Sequence, residues 1–306
     1  MSTPSPLPAD IDPAGLDALQ AEPARWLPTV AALAAAFTQQ PVQAADTSTV
    51  LVGLAGDVVV KLYAPFLRDH FVYERAALAH LHGRLSVPTP HLLGEGELQG
   101  WPWLAMTRLP GRTLDTCWSA LPEPTRLALV HRIGQVAAEL HALPVAPMQA
   151  VAPAWPVFLA GQRSRCALRQ QRTGLPAQLL AQLAAFLDGP VPAGPDVMLT
   201  GEFTPFNLLV GTNDGSPLLG MIDFGDGLVG PREYDWLGPM CFYAAGQPAR
   251  LDAFFEGYGL PAPRERREEL LRLLLLHRYS CLPMQIKVPG WERSADFATL
   301  ARLAWG

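Results

Sequence analysis

The chain has 306 residues, a length that suits two lobes sharing a cleft, because single hydrophobic cores tend to divide beyond about 250–300 residues. Hydrophobic residues make up 49% of the chain and charged residues 17%, which supplies a core and excludes a largely disordered protein. The net charge is −5 and no Lys/Arg-rich run is present, so the composition argues against a nucleic-acid partner.

Neither the first residues nor the longest apolar run predicts export or membrane insertion. The first residues lack a basic segment followed by an apolar one, and the apolar run at 270–276 is far shorter than the roughly 20 residues of a membrane-spanning helix. The four cysteines are scattered without CxxC spacing, which predicts neither a zinc site nor a disulfide framework. We therefore expect a soluble, cytoplasmic protein without a membrane partner.

The first third of the chain combines helices with a hairpin. Residues 1–25 are expected to be a flexible leader with one short helix at 15–20, and the Ala-rich run at 27–37 predicts a second helix. Two β-branched runs flank a Gly-Asp turn within 50–63, which predicts a β-hairpin. Apolar residues at helical spacing then predict a helix over 69–81.

The remainder of the chain is predicted to be mostly helical. An extended segment at 101–106 precedes a turn signal, which places a hinge between lobes near 106–112. The predicted helices beyond it are 125–143, 175–188 and 264–280, and the short extended pieces are 197–199, 207–210 and 218–223. We therefore expect an α+β fold with a nucleotide-binding lobe at 26–108 and a helical catalytic and substrate lobe at 109–306.

One stretch carries a chemically specific pattern. Gly201-Glu202 is followed by Asn207, then by a predicted hairpin, then by Asp223 in an Asp-Phe-Gly sequence. Phosphoryl transfer needs a carboxylate near the attacking hydroxyl and oxygen ligands for Mg²⁺, and this spacing can supply both on two neighbouring loops. The pattern therefore favours an ATP- and Mg²⁺-dependent phosphotransferase.

These motifs resemble those of the aminoglycoside phosphotransferase family. In that family the catalytic loop reads His-Gly-Asp-x-x-x-x-Asn, and Gly201, Asn207 and Asp223 match its pattern. The resemblance implies a bilobal, protein-kinase-like fold with a small antiparallel-sheet N-lobe and a mostly helical C-lobe. It also implies that Glu202, Asn207 and Asp223 are catalytic, with Asn207 and Asp223 as the metal ligands.

The resemblance further implies a nucleotide site in the first lobe. Lys61 takes the place of the lysine that holds the α- and β-phosphates, and Glu74 that of the helix carboxylate paired with it. Ser48 lies where the family has its phosphate-covering loop, although no Gly-rich pattern is present. The segment expected to bind adenine through its backbone consists of Met106, Thr107 and Arg108.

Two further residues are predicted to be structural. Asp235 occupies the position of an aspartate that braces the catalytic loop. His141 lies near the C-terminal end of the predicted helix 125–143 and is interpreted as a structural histidine whose hydrogen bonds are formed within the protein. The resemblance covers about residues 43 to 245.

The departures from the family pattern leave two interpretations open. Glu202 stands where the family has its catalytic aspartate, and Thr200 where it has a histidine. A glutamate keeps the charge but moves the carboxylate by roughly 1–1.5 Å, and displacements near 1 Å can cost about 100-fold in rate. The alternative to a working kinase is therefore a weak or inactive nucleotide-binding pseudokinase that acts as a binding or regulatory module.

The acceptor is expected to be a small alcohol. The family's range implies aminoglycosides and amino alcohols as candidates, and the acidic balance of the chain suits a cationic molecule. Glu256, Glu268 and Glu269 could line a pocket for such a cation, but a solvated helix face is the more ordinary interpretation of these residues.

Overall fold

The structure is a computed structural model that describes residues 7–46, 48–211 and 218–306. The strands in these ranges are β1 (Gln43–Ala44), β2 (Leu51–Ala55), β3 (Val58–Leu62), β4 (Leu92–Leu98), β5 (Trp101–Thr107), β6 (Arg112–Thr113), β7 (Asp196–Leu199), β8 (Leu208–Val210), β9 (Leu218–Met221) and β10 (Leu228–Pro231). The helices are α1 (Pro13–Gln20), α2 (Pro23–Ala34), α3 (Arg68–Leu81), α4 (Glu123–His141), α5 (Ala146–Gln149), α6 (Trp155–Arg172), α7 (Ala177–Leu180), α8 (Leu183–Leu187), α9 (Glu233–Phe242), α10 (Pro248–Tyr258), α11 (Arg267–Leu275), α12 (Leu282–Gln285) and α13 (Phe297–Trp305).

The chain divides into two compact units. The first consists of the chain up to Pro110 together with Leu219–Asp226, and the second consists of Gly111–Leu218 and Gly227–Gly306. The first unit is therefore discontinuous and includes a short segment from a later part of the sequence. This piece contains Asp223.

An antiparallel sheet forms the centre of the first unit, with the strand order β1-β2-β3-β5-β4. The predicted hairpin is confirmed: β2 and β3 pair from Leu51↔Leu62 to Ala55↔Val58. Gly56 turns the chain between them at a φ of 58°, a left-handed conformation that glycine adopts without steric cost. The hairpin fixes the position of every side chain on β3, because register sets which face each residue occupies.

Helices α1 and α2 contribute to the core of this unit together with the sheet. Val30 and Ala34 of α2 are buried in one apolar cluster with Val60 and Leu62 of β3. Leu16 and Leu19 of α1 and Leu7 belong to the same cluster, so part of the segment expected to be a leader contributes to the core. Burial of such aliphatic side chains stabilises the sheet by roughly 1.5–3 kcal/mol for each large side chain.

The segment Leu219–Asp226 of the first unit is fixed by close backbone contact. The N–H of Met221 donates to the carbonyl of Pro88 at 3.1 Å. A Cβ on Gly220 would lie 2.6 Å from Cδ1 of Leu109 and 3.0 Å from the same carbonyl, so the backbone passes close to both groups. This contact holds the strand end from which Asp223 follows.

The second unit is mostly helical, as predicted. Helices α4 and α10 approach so closely that a Cβ on Gly134 would lie 2.1 Å from the carbonyl oxygen of Phe254, and one on Gly257 would lie 1.9 Å from that of His131. Strand β7 pairs antiparallel with β10, and β6 pairs antiparallel with β8. The catalytic loop predicted from the sequence lies between β7 and β8 and is therefore anchored at both ends.

Several predicted elements differ from those observed. The helix predicted over 175–188 is wrong, since the chain forms the two short helices α7 and α8 there. The helix predicted over 264–280 is shorter, because only Arg267–Leu275 is α-helical and a 3-10 turn precedes it. Among the helices of the described residues, none combines the length and apolar character that a bilayer crossing requires.

Candidate active site

Lys61 lies near the end of β3, where it is paired with Val52 on one side and with Leu104 on the other. Its side chain is only 9% exposed. The ammonium group donates to Oε1 of Glu74 at 2.7 Å and to Oδ1 of Asp223 at 2.8 Å. A buried lysine therefore lies between two carboxylates that come from distant parts of the sequence.

Glu74 projects from α3 and is almost fully buried, with its side chain 1% exposed. Besides the lysine, it accepts from the hydroxyl of Tyr63 at 2.5 Å and from the N–H of Phe224 at 3.4 Å. Burial raises the pKa of the Glu74 carboxyl, and the Lys61 ammonium opposes that rise. The ion pair predicted between Lys61 and Glu74 is present.

The two carboxylates keep Lys61 charged. Burial alone would lower the pKa of the ammonium group, but Asp223 and Glu74 raise it above its ordinary value. The lysine therefore carries a full positive charge at physiological pH, in a place where water screens that charge poorly.

Asp223 follows β9 in a strained backbone conformation. Its φ of 63° lies in the left-handed region, which is unusual for a residue with a side chain and is typical of functional sites. The side chain is 38% exposed, in contrast to that of Glu74. Although desolvation acts to raise the pKa of its carboxyl, Lys61 lowers that pKa below its ordinary value, so the group is an anion that a ligand can reach.

The structure places the other predicted nucleotide residues in the same unit but does not join them to this group by hydrogen bonds. Ser48 is exposed, and its hydroxyl accepts from the N–H of Val50 at 3.1 Å. Thr47, from the predicted phosphate-covering loop, lies outside the described residues. The role of Ser48 stays a prediction.

The predicted adenine-binding segment is the end of β5. Met106 is buried in the sheet. The N–H of Thr107 donates to the carbonyl of His91 at 2.9 Å, and that of Arg108 to the carbonyl of Asp57 at 2.7 Å. Because these two donors are used inside the unit, the predicted contact with adenine would have to use other groups of this segment.

In the second unit, the catalytic loop brings Glu202 and Asn207 together. The Asn207 amide donates from Nδ2 to Oε2 of Glu202 at 3.2 Å and lies 3.4 Å from its carbonyl oxygen. Thr200, which replaces the family's histidine, accepts the N–H of Glu202 on its hydroxyl at 3.1 Å. The loop thus has its own hydrogen-bond arrangement around a glutamate.

Asp235, on the first turn of α9, fixes the start of this loop. Its two carboxylate oxygens accept the N–H groups of Thr200 and Gly201, each at 2.9 Å. His141 lies 3.2 Å from Oδ2 of Asp235 through Nε2 and 2.8 Å from the hydroxyl of Tyr258 through Nδ1. The contacts predicted for an aspartate that braces the loop are therefore present, and the structural role of His141 stays a prediction.

Substitution of Asp235 by asparagine is expected to destabilise the protein by about 2–4 kcal/mol. The amide NH₂ would face backbone donors and leave at least one of them buried without an acceptor. Urea denaturation followed by circular dichroism measures the change, with Asp188→Asn on the exposed surface as the matched control. Equal unfolding midpoints for the two variants would contradict the bracing role.

His277 is a second support of the loop that the sequence patterns did not reveal. It lies in the turn after α11 and is 8% exposed. The N–H of Tyr279 donates to its Nδ1 at 3.2 Å, so Nε2 carries the proton and donates to the carbonyl of Gly201 at 3.1 Å. Gly201 has a φ of 77°, so this support acts on a position that needs glycine.

Burial lowers the pKa of His277 to about 3, which makes its contribution to stability depend on pH. In the unfolded chain a histidine binds a proton near pH 6.5, whereas here it stays neutral, so stability is lost as the pH falls from about 6.5 towards 3. Between pH 7 and pH 5 the loss is roughly 2 kcal/mol.

The variant His277→Gln keeps a donor for Gly201 and removes the titration. We expect the free energy of unfolding of the native protein, measured relative to that of the variant, to fall by roughly 2 kcal/mol between pH 7 and pH 5. Urea denaturation at both pH values measures this difference, because the other titrating groups are common to both proteins. A difference that does not change with pH would contradict a neutral, buried His277.

Comparison with known proteins identifies a family. Residues 38–270 match the model of the phosphotransferase enzyme family. The aminoglycoside 3'-phosphotransferase of Streptomyces fradiae is 28% identical over 228 residues, which cover 67% of this chain and 77% of that protein.

Solved structures agree with this match at the level of the fold. The GDP complex of wild-type aminoglycoside 2'-phosphotransferase-IIIa has a TM-score of 0.67 at 18% identity and covers 90% of this chain and 97% of that one. The macrolide 2'-phosphotransferase MphH from Brachybacterium faecium has a TM-score of 0.59 at 19% identity with the same coverage. The predicted kinase-like α+β fold and the predicted resemblance are confirmed. Because the family model matches more than half of the chain, the protein belongs to the phosphotransferase enzyme family.

Proposed function

We propose that the protein transfers the γ-phosphoryl group of ATP, in the presence of Mg²⁺, to a hydroxyl group of a small molecule. The observation that carries this proposal is the buried Lys61 held between Glu74 and Asp223. A charge of this kind is costly to bury and is typical of a site that binds an anion.

The unequal exposure of the two carboxylates supports separate roles. Glu74 is almost inaccessible, so we assign it to holding the Lys61 ammonium in place and charged. Asp223 is 38% exposed and keeps a low pKa, so we assign it to the metal. Lys61 would then meet the phosphate oxygens with a positive charge of fixed position.

The donor set fits magnesium. No group of three or more His, Cys, Asp or Glu side chains that could hold a metal occurs in the described part of the chain. Mg²⁺ is usually held by one or two carboxylates together with phosphate oxygens and water, and it supplies charge neutralisation on the triphosphate when bound. Since Nδ2 of Asn207 is committed to Glu202, its Oδ1 is the side-chain atom that it can offer as a second ligand.

Glu202 is the residue that we assign to the acceptor. Its carboxylate, oriented by Asn207, would accept the hydrogen bond of the substrate hydroxyl and orient it or take its proton. Asp235 and His277 form hydrogen bonds with the backbone of the same loop, so the backbone that carries the carboxylate is held in position. We keep Ser48 and the segment Met106–Arg108 as proposed nucleotide contacts.

Calorimetric titration with ATP tests the nucleotide half of this proposal. We expect Mg²⁺-dependent binding to the native protein and at least 10-fold weaker binding to Lys61→Met, because the replacement removes the charge from a poorly screened site. Lys287→Met, at an exposed lysine of the second unit, is the matched control. Equal affinities for the native protein and Lys61→Met would overturn the assignment of Lys61.

A further inference from the structure

Tyr63 lies two residues beyond Lys61, directly after β3. Its N–H donates to the carbonyl of Pro102 at 2.8 Å, so the chain stays extended beside β5 after β3 has ended. Because side chains alternate between the two faces of an extended chain, Lys61 and Tyr63 lie on the same face. The motifs that identify Lys61 and Glu74 do not include this tyrosine.

Tyr63 contacts α3 at two points. Its ring packs edge-on against that of Phe71, with the ring centroids 5.7 Å apart and the ring planes at 69°. Its hydroxyl donates to Oε2 of Glu74 at 2.5 Å. Phe71 and Glu74 are three residues apart and therefore lie on the same side of the helix. The tyrosine thus joins the chain segment that carries Lys61 to the helix that carries Glu74.

The two oxygens of the Glu74 carboxylate have different partners. Oε1 accepts from the Lys61 ammonium at 2.7 Å and from the N–H of Phe224 at 3.4 Å. Among the described residues, the Tyr63 hydroxyl is the donor to Oε2. Since Glu74 is almost fully buried, water would not readily replace that donor. Without the hydroxyl, a buried anionic oxygen would lose its hydrogen bond and the carboxylate would lose the contact that fixes its rotation.

The Tyr63 hydroxyl keeps its proton. Burial, and then the neighbouring Glu74 carboxylate, raise the pKa of Tyr63 well above its ordinary value. The phenol therefore adds no negative charge beside Lys61. It orients the Glu74 carboxylate and leaves the charge of that carboxylate to the lysine.

From these contacts we infer that Tyr63 is a positioning residue of the nucleotide site: its hydroxyl fixes the Glu74 carboxylate, and that carboxylate fixes the ammonium group of Lys61. We assign Tyr63 no contact with the nucleotide itself. The consequence for phosphate binding rests on the proposed function, whereas the consequence for the Lys61 ammonium rests on the described contacts alone.

The Lys61 ammonium can be observed directly, because the chain contains two lysines and the other, Lys287, is exposed. Proton–nitrogen NMR of the ammonium groups measures how fast their protons exchange with water, and Lys61→Met assigns the Lys61 signal. We expect exchange at Lys61 to be slow in the native protein and faster by about 5-fold or more in Tyr63→Phe. An unchanged exchange rate in Tyr63→Phe would overturn the inference.

Tyr243→Phe is the matched control. Tyr243 is 1% exposed, as Tyr63 is, but its hydroxyl has no hydrogen-bond partner among the described residues. This variant should keep the native exchange rate at Lys61 and the native affinity for ATP. Circular dichroism shows whether each variant is folded.

A second pair of side chains serves if Tyr63→Phe does not fold. The unnatural residues para-aminophenylalanine and para-methylphenylalanine both fill the space of the phenol at Tyr63, but only the first can donate a hydrogen bond. Slow exchange at Lys61 should be retained with the amino side chain and lost with the methyl side chain. Equal exchange rates in the two proteins would overturn the inference.

Calorimetry with ATP and Mg²⁺ tests the consequence for the nucleotide. Tyr63→Phe should weaken ATP binding by about 3- to 10-fold in the native protein. In the Lys61→Met background the same change should weaken binding by less than about 2-fold, because Tyr63 acts through the lysine. An equal loss in both backgrounds would show a general effect on the fold and would overturn the positioning role.

The outcomes separate this inference from the proposed function. Faster exchange at Lys61 in Tyr63→Phe, in a protein that does not bind ATP, would support the positioning role and overturn the proposed function. Mg²⁺-dependent ATP binding that Tyr63→Phe leaves unchanged would overturn the inference and leave the proposed function standing.

Discussion

Replacing Asp223 by asparagine is expected to lower the rate of phosphoryl transfer by on the order of 10³-fold. The side chain keeps its shape but loses its negative charge. Of the two carboxylates that pair with Lys61, only that of Asp223 is accessible to a divalent cation, which needs this charge. Because most of the acceleration in phosphoryl transfer comes from positioning and charge neutralisation, this loss should appear in kcat more than in KM.

A coupled assay of ADP formation measures the effect. Asp17→Asn, at an exposed aspartate of α1, serves as the control and should keep the native rate. A rate for Asp223→Asn within threefold of the native rate would contradict the assignment of Asp223 to the metal. Calorimetry on the same variant should show that the Mg²⁺ dependence of ATP binding is reduced.

The second large effect is expected at Glu202. Glu202→Gln should lower kcat by about 10²- to 10⁴-fold, because the amide cannot take the hydroxyl proton. Glu202→Asp restores the family's residue but should also be slower, by about 10- to 100-fold. The shorter side chain draws the carboxylate back by roughly 1–1.5 Å and loses the contact with Asn207, which is 3.2 Å in the native loop.

The two Glu202 variants decide between the interpretations that the sequence leaves open. A slow Glu202→Asp would show that the loop is built around a glutamate. A variant with aspartate that is faster than the native protein would show instead that glutamate impairs an ordinary family site. ATP binding without turnover in all three proteins would favour the pseudokinase.

The parts of the fold that the sequence predicted well have a clear period or a clear turn. The β-branched residues of β2 and β3 and the Gly-Asp turn between them predict the hairpin, and through it the position of Lys61. The apolar stripe of α4 predicts a helix at 125–143, and the observed helix is Glu123–His141. In both cases local preference and burial favour the same structure.

Helix α6 was not predicted, although it is 18 residues long. The side chains that it buries are Gln162, Cys166 and Gln170, so its inner face is polar and gives no apolar period. Gln170 donates to the hydroxyl of Ser280 at 2.8 Å, a partner far away in the sequence. A helix held by such tertiary hydrogen bonds leaves little trace in its own sequence.

The residues of the candidate site also divide into those that a sequence pattern predicts and those that only the fold brings together. The spacing of Glu202, Asn207 and Asp223 made them recognisable, and the family pattern led to Asp235. His277 belongs to no motif, since its contact with Gly201 joins residues 76 positions apart and depends on where α11 ends. The cavity of about 440 Å³ that Glu202 helps to line was not predicted for the same reason, because its walls come from segments that only the fold brings together.

The most direct test of the central claim is phosphorus NMR of the native protein incubated with ATP, Mg²⁺ and a pool of small neutral, anionic and aminated alcohols. We predict that a phosphomonoester signal appears together with an equal amount of ADP, and that both are lost in Asp223→Asn. ATP that stays intact, or that yields only inorganic phosphate, would contradict the claim that this protein phosphorylates a small-molecule hydroxyl.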